Sequence, residues 1–110
     1  MTPSADASAK SSGVETARIS SRSRAEYAEA AKYYAQIDPQ LGGRFYDEIE
    51  RLILDVRREP QRFWRFDPPA RRHLSNVFPY AVIYVEQPDR IWILAMMHMK
   101  RRPGYWKSRV

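Results

Sequence analysis

No cysteine occurs in the 110 residues, which excludes a disulfide framework and the thiolate zinc sites that many small domains depend on. That absence fits a reducing cytoplasm. No run approaches the roughly 20 apolar residues that a bilayer-spanning helix needs, so no membrane partner is expected. The N-terminus lacks an apolar h-region, and no cleaved secretory signal is expected. Enzyme signatures are missing as well: there is no Walker loop, no G-x-G-x-x-G, no G-x-S-x-G and no H-E-x-x-H. Only two histidines are present, His73 and His98, and no carboxylate cluster accompanies them at metal-ligand spacing. Neither a metal nor a cofactor is expected. A cysteine nucleophile is excluded, and nothing supports a serine triad.

What is present suits one compact domain. A hydrophobic share of 44% with 13% aromatics can furnish a core, and the length matches a single one. The net charge of +6 is unevenly spread. Residues 1–56 carry seven Lys/Arg against nine Asp/Glu, whereas residues 57–110 carry twelve against four. The basic half is an arginine half, since the chain has fifteen Arg and four Lys. Arginine offers a planar, always-charged fork for carboxylate and phosphate.

Residues 1–14 are rich in Ser, Ala and Thr and contain no large apolar residue beyond Met1. They read as a flexible extension, followed by one domain over 15–110. A short first strand is expected around Thr16–Ser20. Ser23 and Glu26 match a capping box that opens a helix ending near Ile37. In that helix Tyr27, Ala31 and Tyr34 share a face, with Ala30 and Ile37 beside it. Asp38-Pro39 then reads as an N-cap followed by Pro at the first helical position. Leu41, Phe45, Ile49, Leu52, Ile53 and Val56 form an apolar stripe, while Arg44, Asp47, Glu48 and Arg51 face away. Gly42-Gly43 implies a late helix start or a tight crossing, and Pro60 stops the helix. Gln61 to Ala70 reads as a loop whose aromatics, Phe63, Trp64 and Phe66, plug the end of the core. Strands follow at Arg71–Val77, Tyr80–Glu86 and Ile91–His98. Short turns between them impose antiparallel pairing. The fold class is α+β: an N-terminal helical hairpin packed on a small antiparallel sheet, in the order (β)ααβββ, with a short basic tail.

The tail is the segment that carries chemistry. From Lys100 to Arg109 it holds five positive charges in ten residues, interleaved with Tyr105 and Trp106. Cations suit a polyanion, and aromatic rings can stack on bases or anchor the tail to the sheet. Arg71 and Arg72 extend the same basic face. His98 follows a buried strand beside Arg101 and Arg102, cations that disfavour a further positive charge on its ring. A neutral imidazole there can act as a base. With Arg102 as phosphate stabiliser and Tyr105 as acid, His98 would complete a metal-independent RNA-cleaving set. The alternative is that His98 is structural.

Several ordered elements make the chain similar to a known family. They are Ala30-Ala31-x-Tyr33-Tyr34, Gly43-Arg44-Phe45, Phe78-Pro79-Tyr80-x-x-x-Tyr84, and His98-x-x-x-Arg102-Pro103-x-Tyr105-Trp106-x-x-Arg109. From about Thr16 to Arg109 the chain resembles the RelE/ParE toxin superfamily of type II toxin–antitoxin systems, closest to its ParE-like, plasmid-stabilisation branch. The resemblance implies a cytoplasmic, growth-inhibiting toxin held in a hetero-oligomer by a cognate acidic antitoxin. It implies DNA gyrase as the target, or, in the RelE manner, the ribosome and its mRNA. The surface for antitoxin or target would comprise Arg71, Arg72, Arg101, Arg102, Tyr105, Trp106 and Arg109. Apolar surface beside it would come from Ala31, Tyr34, Phe45 and Ile49.

Overall fold

A computed structural model describes residues 15–102 and 104–109. The flexible extension expected at 1–14 lies outside the described residues. Strand β1 (Ala17–Ile19) runs directly into helix α1 (Ser21–Ile37). The residue between them, Ser20, is the N-cap: its Oγ accepts the Ser23 N–H at 3.1 Å. This displaces the capping box expected at Ser23 and Glu26. Ser23 sits instead inside the first turn, where its Oγ donates to Ile93 O at 3.2 Å. Glu26 is thereby released for the contacts described below.

Asp38 serves two helices at once. Its N–H closes α1 on Tyr34 O at 3.0 Å, and its Oδ1 accepts the Gln40 N–H at 3.0 Å to open α2 (Pro39–Arg58). With no linker between them, the helices are forced close. A Cβ on Gly42 would lie 2.6 Å from Ala35 Cβ, whereas one on Gly43 would meet nothing within 4 Å. Of the two readings of the glycine pair, the tight crossing is therefore correct, and it concerns Gly42 alone. Phe45, Ile49, Leu52, Ile53 and Val56 are buried as their spacing demands.

Two residues depart from the pattern. Ile37 is 60% exposed, because α1 ends beyond the edge of the core. Glu48, expected to face away, is only 9% exposed. Its burial is compensated: Arg51 donates to both carboxylate oxygens at 2.9 and 3.0 Å, and Ser75 Oγ donates to Oε2 at 2.7 Å.

The segment read as a loop contains a further strand, β2 (Trp64–Asp67), paired antiparallel with β3 (Ala70–Leu74). Its turn is Pro68-Pro69, which hides the hairpin from a reading based on strand formers. Phe63 and Phe66 plug as expected, but Trp64 is 62% exposed and lies under the Arg72 guanidinium, 4.8 Å from its ring centroid. β3 stops at Leu74, short of Val77, because Ser75 Oγ collects the Val77 and Phe78 amides at 3.0 Å each. Strands β4 (Tyr80–Glu86) and β5 (Ile91–His98) have the expected limits. The sheet order is β1-β5-β4-β3-β2, with β1 parallel to β5 and every other pair antiparallel.

Both faces of the sheet are buried. The helical hairpin covers one, meeting Val82, Tyr84, Ile91, Ile93 and Met96. The other carries Ala70, Ala81, Ile83, Val85, Leu94, Ala95 and Met97, closed by Trp106. A bulge sets which residues of β5 go where. Ile83 pairs with Ala95 and Tyr84 with Ile93, leaving Leu94 as the extra residue. Strict alternation from Ile91 and Ile93 would send Ala95 and Met97 towards the helices. After the bulge, Met96 goes there instead, followed two residues later by His98. No helix among the described residues is long and apolar enough to cross a membrane.

Candidate functional site

The basic tail turns back sharply after β5. Arg101 N–H bonds His98 O at 2.9 Å, and Gly104 adopts φ +77°, a conformation that favours glycine. The chain then crosses the face of the sheet away from the helices and ends in a single 3-10 turn, Lys107–Arg109. Trp106 is 2% exposed and packs edge-on against Phe66, with ring centroids 5.7 Å apart. It anchors the tail and is not available for stacking on a partner.

Tyr105 is half-buried, and its hydroxyl donates to Glu26 Oε2 at 2.7 Å. Burial first, then the hydrogen bond to Glu26 and its charge, push this phenol well above the usual tyrosine range, against the opposing pull of Arg109 and Arg101. The Arg101 and Arg109 guanidinium carbons lie 4.0 and 5.0 Å from its ring centroid. Glu26 receives three further bonds: Met96 N–H to Oε1 at 3.1 Å, Arg109 Nη1 to Oε1 at 3.0 Å and Arg109 Nη2 to Oε2 at 3.2 Å. Arg109 is therefore a neutralised, structural arginine; it also donates to Leu94 O at 2.9 Å.

Between α1, the ends of β4 and β5, and the tail lies an open cleft of about 250 Å³. It gathers three residues singled out from the sequence, His98, Arg101 and Tyr105, and adds Glu29, Tyr33 and Tyr80. Burial is the main cause raising the Tyr80 phenol, followed by Tyr34 and the nearby Glu26, Tyr33 and Glu29. His98 Nδ1 accepts the Lys100 N–H at 3.0 Å, and its ring lies edge-on to Tyr80 at 5.0 Å. In the neutral ring that hydrogen bond places the proton on Nε2, so the free lone pair is already engaged. Service as a base requires the Lys100 contact to break.

The remaining sequence candidates disperse. Arg102 is exposed and does not line the cleft. Arg71 and Arg72 do not share a basic face, because neighbours on a strand point to opposite sides. Arg71 pairs with Glu86 at 2.9 Å and donates to Gln61 O and Phe63 O. Arg72 points to the tail side, where it shares a groove of about 310 Å³ with Arg101 and Lys107; Lys107 is paired with Asp67 at 3.1 Å. Phe45 and Ile49 are fully buried in the core and offer no surface to a partner. Tyr34 is largely committed to Phe78 and Phe45, at 4.9 and 5.1 Å. Ala31 lies beside a shallow apolar groove between the helices, of about 340 Å³.

Glu26 was read only as part of a capping box, Tyr33 only as part of a family element, and Glu29 not at all, although their spacing of three and four residues marks one face of α1. Among the described residues no group of three or more His, Cys, Asp or Glu side chains is placed to hold a metal ion.

No protein-family model matches the sequence, and no curated protein matches it. Among solved structures, a chain of the chromosomal ParDE TA system from P. aeruginosa superposes with a TM-score of 0.66 at 13% sequence identity. The match covers 80% of this chain and 99% of that one. At that identity the likeness concerns fold, and the fold is the one the resemblance to the RelE/ParE superfamily implied: a helical hairpin on a small sheet, shared with a chain of a ParDE system.

Proposed function

We propose that this chain is the toxin of a type II toxin–antitoxin system, ParE-like, which arrests growth by poisoning DNA gyrase. The observation that carries the reading is the fold shared with the ParDE chain over almost all of that chain's length. The groups that RNA cleavage would draw on are already engaged here: His98 Nδ1 by Lys100, and the Tyr105 hydroxyl by Glu26. That favours a toxin acting by binding a protein target. The test is a supercoiling assay with purified gyrase; micromolar protein is expected to block supercoiling, and unaffected supercoiling sinks the reading.

The proposed antitoxin is an acidic, flexible segment. Lys100, Arg101 and Arg102 are exposed, and together with Arg72 they would steer it. Charge reversal at Arg101 and Arg102 is expected to slow association most strongly at low salt, measured by surface plasmon resonance against the product of a neighbouring acidic reading frame.

One feature favours a second reading, a ribosome-dependent mRNA endoribonuclease: the cleft brings His98, Arg101 and Tyr105 beside the Glu29 carboxylate. It requires codon-phased mRNA cuts during translation, lost on His98→Ala or Arg101→Ala, cleft residues that the sequence also singled out. Intact transcripts in growth-arrested cells eliminate it.

A further inference from the structure

Residues 104–109 cross the open face of the sheet without joining its ladder. Their backbone bonds are local, from Lys107 N–H to Gly104 O at 3.0 Å and from Arg109 N–H to Trp106 O at 2.9 Å. Side chains alone tie the segment down. Lys107 meets Asp67 of β2 on one side, and Trp106 fills the apolar cluster in the middle. On the other side, Tyr105 and Arg109 converge on Glu26 of α1.

Two observations give Glu26 more than a surface ion pair's importance. Its carboxylate accepts all four of its bonds from groups that are at least part-buried, so their strength is not screened away as at an exposed site. One of those donors is the Met96 amide of β5, so a single side chain joins helix, strand edge and tail. Opposing this, the tail brings two buried donors, Trp106 Nε1–H and Arg109 Nε–H, that find no acceptor among the described residues. Unpaired buried donors disfavour the docked state. A segment held by side chains, with unmet donors, belongs to the low-stability end of a fold.

We infer that residues 104–109 form a strap that opens and closes as a unit over an intact helix-and-sheet core, and that Glu26 is the catch holding it shut. Opening uncovers Ile83, Leu94 and Met97 on the sheet and frees Arg101 from its stack on Tyr105. The inference stands on this geometry and not on the reading of the chain as a toxin.

Native-state amide exchange on the full chain, followed by NMR, tests it. Glu26→Gln keeps the shape but loses the charge. It is expected to accelerate exchange at least tenfold at the Met96, Lys107 and Arg109 amides while central β4 amides such as Ile83 keep their wild-type rates. Chain labelled with 5-fluorotryptophan supplies a second signature: the Trp106 fluorine signal gains a solvent isotope shift in the variant. Should Glu26→Gln fail to fold, Tyr105→Phe removes one of the four bonds and is expected to give a smaller acceleration confined to the strap. Exchange that rises equally in β4, or that rises nowhere, overturns the inference, as does a Trp106 that stays shielded.

Discussion

On one face of the sheet, Phe45, Ile49, Leu52 and Val56 arrive on a continuous helix of 20 residues, and the rings of Tyr34, Phe78 and Tyr80 close around Phe45 at about 5 Å. On the other, Ala70, Ala81, Ala95 and a few aliphatics lie under one indole carried by a short strap. Both faces are buried, yet they are closed by different means. The helix face is held by many interlocked rings on elements that cannot leave singly. The strap face depends on Trp106 and on the Glu26 carboxylate, and can open without unfolding the rest. Hydrophobic area alone does not separate them; what differs is how many independent elements must move to expose it.

Substitutions can sharpen or break that contrast. Phe45→Ala is expected to have the largest effect, a loss of about 3–5 kcal/mol in urea unfolding, because the cavity lies among rings that cannot collapse together. Trp106→Ala is expected to cost about 2 kcal/mol, below the usual range of about 3–5 for a buried indole. Its loss cannot exceed the strap's own docking free energy, and equal losses at Phe45 and Trp106 would erase the distinction. Gly42→Ala drives a methyl into Ala35, and a net loss of about 1–2 kcal/mol is expected despite better helix propensity. Gly43→Ala, one residue on, meets open space and is expected to stabilise by about 0.5–1 kcal/mol.

The helix side also carries a pH dependence. Hydrogen bonds from Arg51 hold the Glu48 carboxyl below the usual carboxylate range; burial opposes this, while the Ser75 bond and the charges of Arg51 and His73 support it. A lowered folded value means stability that is fully present above the unfolded value of about 4.3 and lost as pH falls through the folded one. Glu48→Gln is therefore expected to flatten the acid limb of stability measured from about pH 5 to 3.

Most elements were legible in the residues because local patterns dictate them. Asp38-Pro39 starts α2 whatever surrounds it, and the stripe from Leu41 to Val56 has only one way to be buried. The basic tail was visible as composition, but composition could not divide its cations. Arg109 and Arg101 look alike in sequence; one is locked on Glu26 and Leu94 O, while the other lies exposed over Tyr105. His73, to which the sequence assigned nothing, proved to bond Asp55 at 2.9 Å and to stack on Phe63 at 3.9 Å. Glu26 and Ser23 satisfied a local motif so well that their partners 70 and more residues away were hidden.

By itself the sequence determined the α+β class, the helical hairpin, the two central strands and a basic C-terminal half, because propensity, capping and hydrophobic period act over a few neighbouring residues. The tertiary structure decided the rest. Whether Trp106 anchors or presents, which arginines keep their charge free, and where Glu26 turns all depend on groups far apart in the chain. The bulge at Leu94 brings the strand's last residue, His98, into the cleft beside α1. A one-residue slip reverses every side chain beyond it, and only the pairing with β4 shows that it occurs.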